Sequence, residues 1–212
     1  MAEFICYSCK KLVVTGEKFT FTKSGAVHFD CFISEKRRNI SDEIFKGLAR
    51  MNLMGMTASE EYGGLGADAM TTGIVAEEIA KADPTMSIHV LFLVDNAWTN
   101  LINKYGTNEL KSEILPDVAK GKSIVGIAST EPNFGSDIGS MTTVAKKNGS
   151  KYVLEGEKAF ISLIRDIKER SGGFVTVAKT DPSKGTGGVS LFYLPYSDRL
   201  DISKGMHSDN QI

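Results

Sequence analysis

The segment Gly126–Asp137, GIASTEPNFGSD, combines residue types suited to holding a planar ligand rich in hydrogen-bond acceptors. The alternation over residues 124–129 predicts a half-buried strand, which Pro132 ends because proline donates no ladder hydrogen bond. Asn133 and Gly135 tolerate positive φ, so a turn is expected to follow the strand. Backbone N–H groups and side-chain hydroxyls would then converge on one bound molecule. The hydroxyls belong to Ser129, Thr130 and Ser136.

A group of candidate metal ligands lies near the N-terminus, where all three cysteines of the chain occur. Cys6-x2-Cys9 and His28-x2-Cys31 supply three thiolates and one imidazole, the closed tetrahedral set of a structural zinc site. The KLVVTGEKFTFTKSGAV segment between the pairs predicts a β-hairpin. An odd cysteine count at close spacing disfavours a disulfide framework. The spacing resembles the first half of a LIM finger and small zinc ribbons; the alternative is three free cysteines and a surface histidine.

Further motifs accompany the Gly126–Asp137 segment in a fixed order. They are Glu60-Glu-Tyr-Gly-Gly-Leu-Gly66, Glu77-Glu-Ile-Ala80 with Ala82-Asp83, Tyr105-Gly-Thr-Asn-Glu-Leu-Lys111 followed by Leu115-Pro116, and Gly156-Glu-Lys-Ala-Phe-Ile-Ser162. With the Thr-Glu-Pro turn, these motifs resemble the acyl-CoA dehydrogenase family over residues 41–196. The resemblance implies a helical N-terminal domain, a middle antiparallel β-barrel-like domain that lies on a flavin, and a C-terminal helical bundle.

The resemblance also implies FAD as cofactor and assigns roles to individual residues. Thr130 would donate to the flavin ring, Phe160 would stack on it, and Ser162 would donate beside it. Ser136 would meet the acyl-CoA. The expected cofactor-binding residues are Ile127, Ser129, Thr130, Ser136, Phe160, Ile161 and Ser162. The expected substrate-binding residues are Ser136, Leu93 and Ala97, the last two on a helix beside the acyl chain.

The reaction implied by the resemblance is α,β-dehydrogenation of an acyl-CoA thioester. In the family, a carboxylate from the C-terminal helices removes the α-proton, and this base has no counterpart in the sequence. We therefore assign no catalytic residue and expect no activity from this chain alone. Two alternatives stay open: a non-catalytic zinc-ribbon scaffold with a vestigial dehydrogenase part, and one half of a split enzyme completed by a separately encoded helical chain. The electron-transfer partner is not identified, and a homo-oligomer is compatible with the resemblance.

Composition limits the class of protein. The chain has 212 residues, 42% of them hydrophobic and 24% charged, with a net charge of −1. This balance predicts a globular protein with a real core and no nucleic-acid partner. No apolar run approaches the ~20 residues of a membrane span, and no signal peptide is evident, so the cytoplasm is the expected location.

The elements that must position these residues define an α+β organisation. We expect a zinc-ribbon-like module at 1–35, a partial helical domain at 36–119 and a truncated β-domain at 120–212, without the C-terminal helical bundle. The first two predicted helices run from Ser41 to Met51 and from Asp68 or Thr71 to Ala82. A third starts at an Asp83 cap with Pro84 as its first residue. A fourth runs from Thr107 to Ala119, and Pro116 is expected to end or kink it. Predicted strands cover 141–147 and 152–155 around an Asn148-Gly149 turn, then 173–180 and 187–195. His89 is expected to be packed or exposed, and neither a ligand nor a base.

Overall fold

The computed structural model describes residues 40–83, 85–197 and 200, and the backbone of residues 4–5, 12–13, 19–22 and 25–28. These residues fall into two compact units, one ending at Ser41 and the other beginning at Asp42. Within them, no helix has the length and apolar character required to cross a membrane.

The described strands of the N-terminal unit form two short antiparallel pairs. The second pair confirms a β-hairpin in the predicted KLVVTGEKFTFTKSGAV segment, and Thr22 lies opposite Gly25 at its end. The predicted zinc ligands Cys6, Cys9 and Cys31, and the side chain of His28, lie outside the described residues, so the zinc site stays a prediction. The strands are β1 (Phe4–Ile5), β2 (Leu12–Val13), β3 (Phe19–Thr22) and β4 (Gly25–His28).

The second unit begins with four helices, two of which start at a side-chain cap. Asp68 accepts a hydrogen bond from the Thr71 N–H at 2.8 Å, and Thr107 accepts one from the Leu110 N–H at 3.3 Å. Each therefore caps a helix at the predicted position. The helices are α1 (Asp42–Arg50), α2 (Ala69–Ala82), α3 (Ser87–Tyr105) and α4 (Asn108–Ala119).

Two details of the helices differ from expectation. Helix α3 begins at Ser87, after Met86 at a φ of 61°, and not directly after Asp83. The Asp83 carboxylate still reaches this turn, accepting from the Ile88 N–H at 2.7 Å, and Pro84 lies outside the described residues. Pro116 does not end α4 at once: the helix continues through it and stops three residues later, at Ala119.

The predicted antiparallel, barrel-like sheet is wrong in two respects: the observed sheet is open, and its strands are of mixed direction. Strand β8 pairs in parallel with β5 and, through Lys179 and Val144, with β6. It pairs antiparallel with β9, and β6 pairs antiparallel with β7. Helix α5 lies in the crossover that returns the chain so that β8 runs beside β5, as parallel pairing requires. These elements are β5 (Val125–Ala128), β6 (Val144–Asn148), β7 (Lys151–Glu155), α5 (Ile164–Glu169), β8 (Gly173–Lys179) and β9 (Val189–Pro195).

Strand positions are confirmed, but the β6–β7 turn and the burial of β5 differ from expectation. Asn148 pairs with Lys151, so the turn is Gly149 and Ser150, one residue later than predicted, with Gly149 at a φ of 61°. Strand β5 is buried on both faces and not half-buried, because α5 covers it as well as the helical core. A Cβ at Gly126 would lie 2.6 Å from Ile167 Cδ1, so α5 packs here only against glycine.

An apolar cluster joins the helices to the sheet. Two adjacent buried polar residues on α3 also hydrogen-bond to neighbouring segments. Asp95 accepts from the Gly55 N–H at 3.0 Å and from the Val125 N–H at 3.3 Å. Asn96 donates to the Leu53 carbonyl at 3.0 Å. Helix α3 thus holds both the loop after α1 and the first residue of β5. The buried apolar residues around it include Ala58, Ile102, Leu115, Val118, Val125 and Val175.

Candidate functional site

The candidate site is built where two chain segments meet beyond the ends of β5 and β7. The Ala159 N–H donates to the Thr130 carbonyl at 2.8 Å. The chain reverses immediately after Thr130, because Glu131 and Phe134 exchange backbone hydrogen bonds of 2.9 and 3.2 Å around Pro132. The structure therefore brings together the Thr-Glu-Pro turn and the 156–162 motif, which are about 30 residues apart in sequence.

A buried ion pair joins the same two segments. Lys158 Nζ donates to the Ser129 carbonyl and to Glu131 Oε1, each at 3.0 Å. Only 11% of the Lys158 side chain and 2% of the Glu131 side chain are exposed. Little solvent screening is available to a pair buried to this degree, so losing one partner would leave a costly unpaired charge.

The Glu131 carboxylate is also saturated by donors that precede β6. Oε2 accepts from the N–H and the hydroxyl of Thr142, both at 2.7 Å, and Oε1 accepts from the Thr143 N–H at 2.9 Å. Burial alone would raise the pKa of this carboxyl, but hydrogen bonds from Thr143 and Thr142 outweigh burial and hold the pKa well below its usual range. With its pKa lowered and its oxygens already bonded, Glu131 is a charged structural group and a poor general base.

The predicted flavin-contacting hydroxyls are free to bind. No hydrogen bond to another described residue involves the hydroxyls of Ser129, Thr130, Ser136 or Ser162. Thr130 is half-buried, whereas Ser136 and Ser162 are exposed. These hydroxyls can donate hydrogen bonds, whereas the neighbouring backbone carbonyls already accept them. Such a surface suits a ligand that presents hydrogen-bond acceptors.

The segment around Phe160 carries backbone strain. Phe160 has a φ of 56° and Leu163 a φ of 62°, so two non-glycine residues adopt the left-handed conformation on either side of Ser162. Each such residue costs of order ~1 kcal/mol, and residues of this kind cluster at ligand sites. The Phe160 side chain is 59% exposed, which leaves an aromatic face available for stacking.

Two of the three expected substrate-contacting residues lie on helix α3. Leu93 and Ala97 lie one turn apart on the exposed face of α3, with Leu93 40% exposed. Among the described residues, neither makes a hydrogen bond or ion pair to the 129–131 or 158–162 segments. Ser136 follows the Pro132 turn and is exposed. Ile127 and Ile161 are both partly buried.

Three site residues escaped the sequence analysis: Lys158, Thr142 and Thr143. The signal for Lys158 is its place inside the Gly156–Ser162 motif, where a cation stands between residues assigned to a ligand. Thr142 and Thr143 carry no signal, because their role depends on a distant carboxylate. His89 matches expectation, with Nδ1 3.0 Å from the Ala76 carbonyl. No cluster of three or more metal-binding side chains occurs in the described part of the chain.

Comparison with known families finds two matching domains. Residues 29–122 match the N-terminal domain of acyl-CoA dehydrogenases, and residues 126–210 match the middle domain. The first match ends just before β5, and the second begins within it.

Individual relatives give the same result. The short-chain-specific acyl-CoA dehydrogenase of Clostridium acetobutylicum is 38% identical over 156 residues, which are 72% of this chain and 39% of the relative. An acyl-CoA dehydrogenase from Geobacillus kaustophilus aligns with a TM-score of 0.66 at 30% identity, over 78% of this chain and 43% of that one. The structure of PigA with FAD and proline aligns with a TM-score of 0.69 at 29% identity, over 79% and 43%. The chain thus spans about two fifths of the length of the curated relatives it matches.

Proposed function

Because the chain belongs to the acyl-CoA dehydrogenase family, of which it contains the N-terminal and middle domains, we propose that it binds FAD and takes part in α,β-dehydrogenation of acyl-CoA thioesters. The observation that carries this proposal is the junction of the Thr130 and Ala159 segments, which gathers free hydroxyls and an exposed aromatic ring. The relatives support the cofactor, since PigA binds FAD. The acyl-CoA substrate rests on what the Clostridium relative is named for.

The residues at the junction fit a flavin. Thr130 and Ser162 would donate hydrogen bonds to the ring, and Phe160 would stack on it. Ile127, Ser129 and Ile161 would complete the bed, and Ser136 would lie on the side of the acyl-CoA. Leu93 and Ala97 would form part of the wall along the acyl chain. When bound, FAD supplies the hydride-accepting chemistry, and the protein supplies position and hydrogen bonds.

Catalysis needs a proton acceptor that we assign to no residue of this chain. Glu131 is excluded because hydrogen bonds from Lys158, Thr142 and Thr143 occupy its oxygens and its lowered pKa makes it a weak proton acceptor. We propose that the chain alone does not turn over acyl-CoA, since a bound flavin and thioester do not replace the missing base. A split enzyme with a separate helical chain, or a scaffold with a vestigial dehydrogenase part, are the alternatives.

Titration of FAD against the purified chain, followed by flavin fluorescence quenching, tests this function. The double variant Thr130→Ala/Ser162→Ala should bind FAD more than tenfold more weakly, and roughly 30-fold if the losses add, because each lost donor costs ~1 kcal/mol. Ser112→Ala, an exposed serine on α4, is the matched control and should bind like the native chain.

Three results would contradict parts of the proposal. Unchanged binding in the double variant would show that the two hydroxyls do not contact the ligand. Absence of saturable binding would reject FAD binding by this chain alone and favour the scaffold or the obligate split enzyme. Oxidation of an acyl-CoA by the isolated chain with an artificial electron acceptor would reject the claim of inactivity.

A further inference from the structure

Two consecutive residues hold three consecutive residues across the candidate flavin site. Lys158 Nζ binds the Ser129 carbonyl and the Glu131 carboxylate, and the Ala159 N–H binds the Thr130 carbonyl that lies between them. The backbone from 129 to 131 is therefore fixed at each residue, while the Thr130 hydroxyl is bonded to no other described residue.

The charge on Lys158 makes this arrangement specific. With 11% of its side chain exposed, the ammonium group has lost most of its hydration, and Glu131 is its carboxylate partner at 3.0 Å. Glu131 is in turn held by Thr142 and Thr143, which lead directly into β6. Charge-assisted hydrogen bonds are stronger than bonds between neutral groups. Position is thus transmitted from β6 through Glu131 and Lys158 to the backbone at Ser129.

We propose that Lys158 is a positioning residue for the flavin site: paired with Glu131, it holds the 129–131 backbone so that the Thr130 hydroxyl is presented to the bound ring. Lys158 does not itself contact the ligand. The inference rests on the proposed FAD binding. It predicts that the contribution of Thr130 to affinity depends on the ion pair, which a purely stabilising role would not require.

The experiment combines two charge-free substitutions with Thr130→Ala. The pair Lys158→Met/Glu131→Gln removes both charges together, because either change alone would leave a buried unpaired group and strongly destabilise the fold. The matched control is Lys146→Met/Glu155→Gln, which makes the same change in an ion pair whose side chains are both 70% exposed. Thermal unfolding first establishes that each variant is folded.

Two readouts separate positioning from stability. In the native chain, Thr130→Ala should weaken FAD binding about fivefold. In the Lys158→Met/Glu131→Gln background it should weaken binding less than about twofold, since coupled residues are not additive. Native-state hydrogen exchange of the Ala159 amide, which needs no ligand, should be faster in this background, while the Val175 amide in β8 is unchanged. The Lys146→Met/Glu155→Gln control should leave both readouts as in the native chain.

The outcomes distinguish the positioning role of Lys158 from the proposed FAD binding. An equal effect of Thr130→Ala in both backgrounds, or unchanged exchange at Ala159, would overturn the positioning role while FAD binding stands. A native chain that binds no FAD, or binds it with no loss in Thr130→Ala, would reject the proposed function and the inference with it.

Discussion

Replacing Asp95 with asparagine is expected to remove most of the pH dependence of unfolding between about pH 4 and about pH 7. The Asp95 carboxyl is fully buried on α3. It accepts from the Gly55 and Val125 N–H groups and has no cationic partner among the described residues. Burial raises the pKa of Asp95 to about 7, against the lowering effect of these two hydrogen bonds.

The sign and the size of the effect follow from proton linkage. Between about pH 4 and about pH 7 the folded chain keeps a proton on Asp95 that the unfolded chain releases. The free energy of unfolding therefore falls as pH rises through this window. At about 1.4 kcal/mol per pH unit, the loss reaches at most about 4 kcal/mol above pH 7.

The Glu131 carboxyl affects stability in a different pH range from Asp95. The lowered pKa of Glu131 stabilises the fold above the ordinary glutamate pKa of about 4.3, and this contribution is lost only as pH falls below it. The difference between the two pH profiles therefore isolates Asp95.

Urea unfolding at a series of pH values from about 4.5 to about 8 measures the profile directly. Asp95→Asn should show a flatter profile than the native chain and be relatively more stable at high pH. Asp117→Asn, an exposed carboxyl on α4, is the control and should keep the native slope. Parallel profiles for the native chain and Asp95→Asn would refute the reasoning, because Asp95 would then titrate alike in both states.

Two further predictions concern packing and metal content. Gly126→Ala should lower the free energy of unfolding by about 1–3 kcal/mol, because its Cβ would overlap Ile167; Gly73→Ala, where a Cβ meets nothing within 4 Å, should not destabilise the chain in the same urea assay, and equal effects would contradict the packing argument. Elemental analysis of freshly purified chain should find about one zinc, lost in Cys9→Ser, since four ligands suffice for a structural site; a metal-free native chain would remove the zinc prediction.

Local chemistry made much of the helical part predictable. Asp68 and Thr107 each place an acceptor beside the first free N–H groups of a helix, and both helices begin there. The start of α3 was predicted less well, because the Asp83 carboxylate reaches Ile88 across an intervening turn. The β6–β7 turn was predicted one residue too early. Gly149 has a positive φ, and a two-residue turn accepts such a glycine at either of its positions, so the glycine alone does not fix the turn.

The direction of strand pairing could not be predicted from the sequence, because it depends on contacts between distant segments. Alternation located β5 and β8, but nothing within either strand says that they run parallel. The direction depends on the crossover through α5, and that crossover also buries the face of β5 that the sequence left half-exposed. The candidate site shows the same limit: both motifs were located, but the bond from Lys158 to Glu131 depends on a meeting that neither motif encodes alone.

The two buried carboxyls near the ends of β5 show how the chain separates stability from site chemistry. Asp95 binds the first residue of β5 with two N–H donors, which are too few to offset burial, so its pKa rises to about 7. Glu131 lies beyond the last residue of β5 and receives Thr142, Thr143 and Lys158, enough donors to keep it charged at any ordinary pH. A change in pH near neutrality is therefore expected to alter the packing of α3 against β5 before it alters the charge at the candidate flavin site. If so, FAD affinity should stay constant over the window in which Asp95 changes stability.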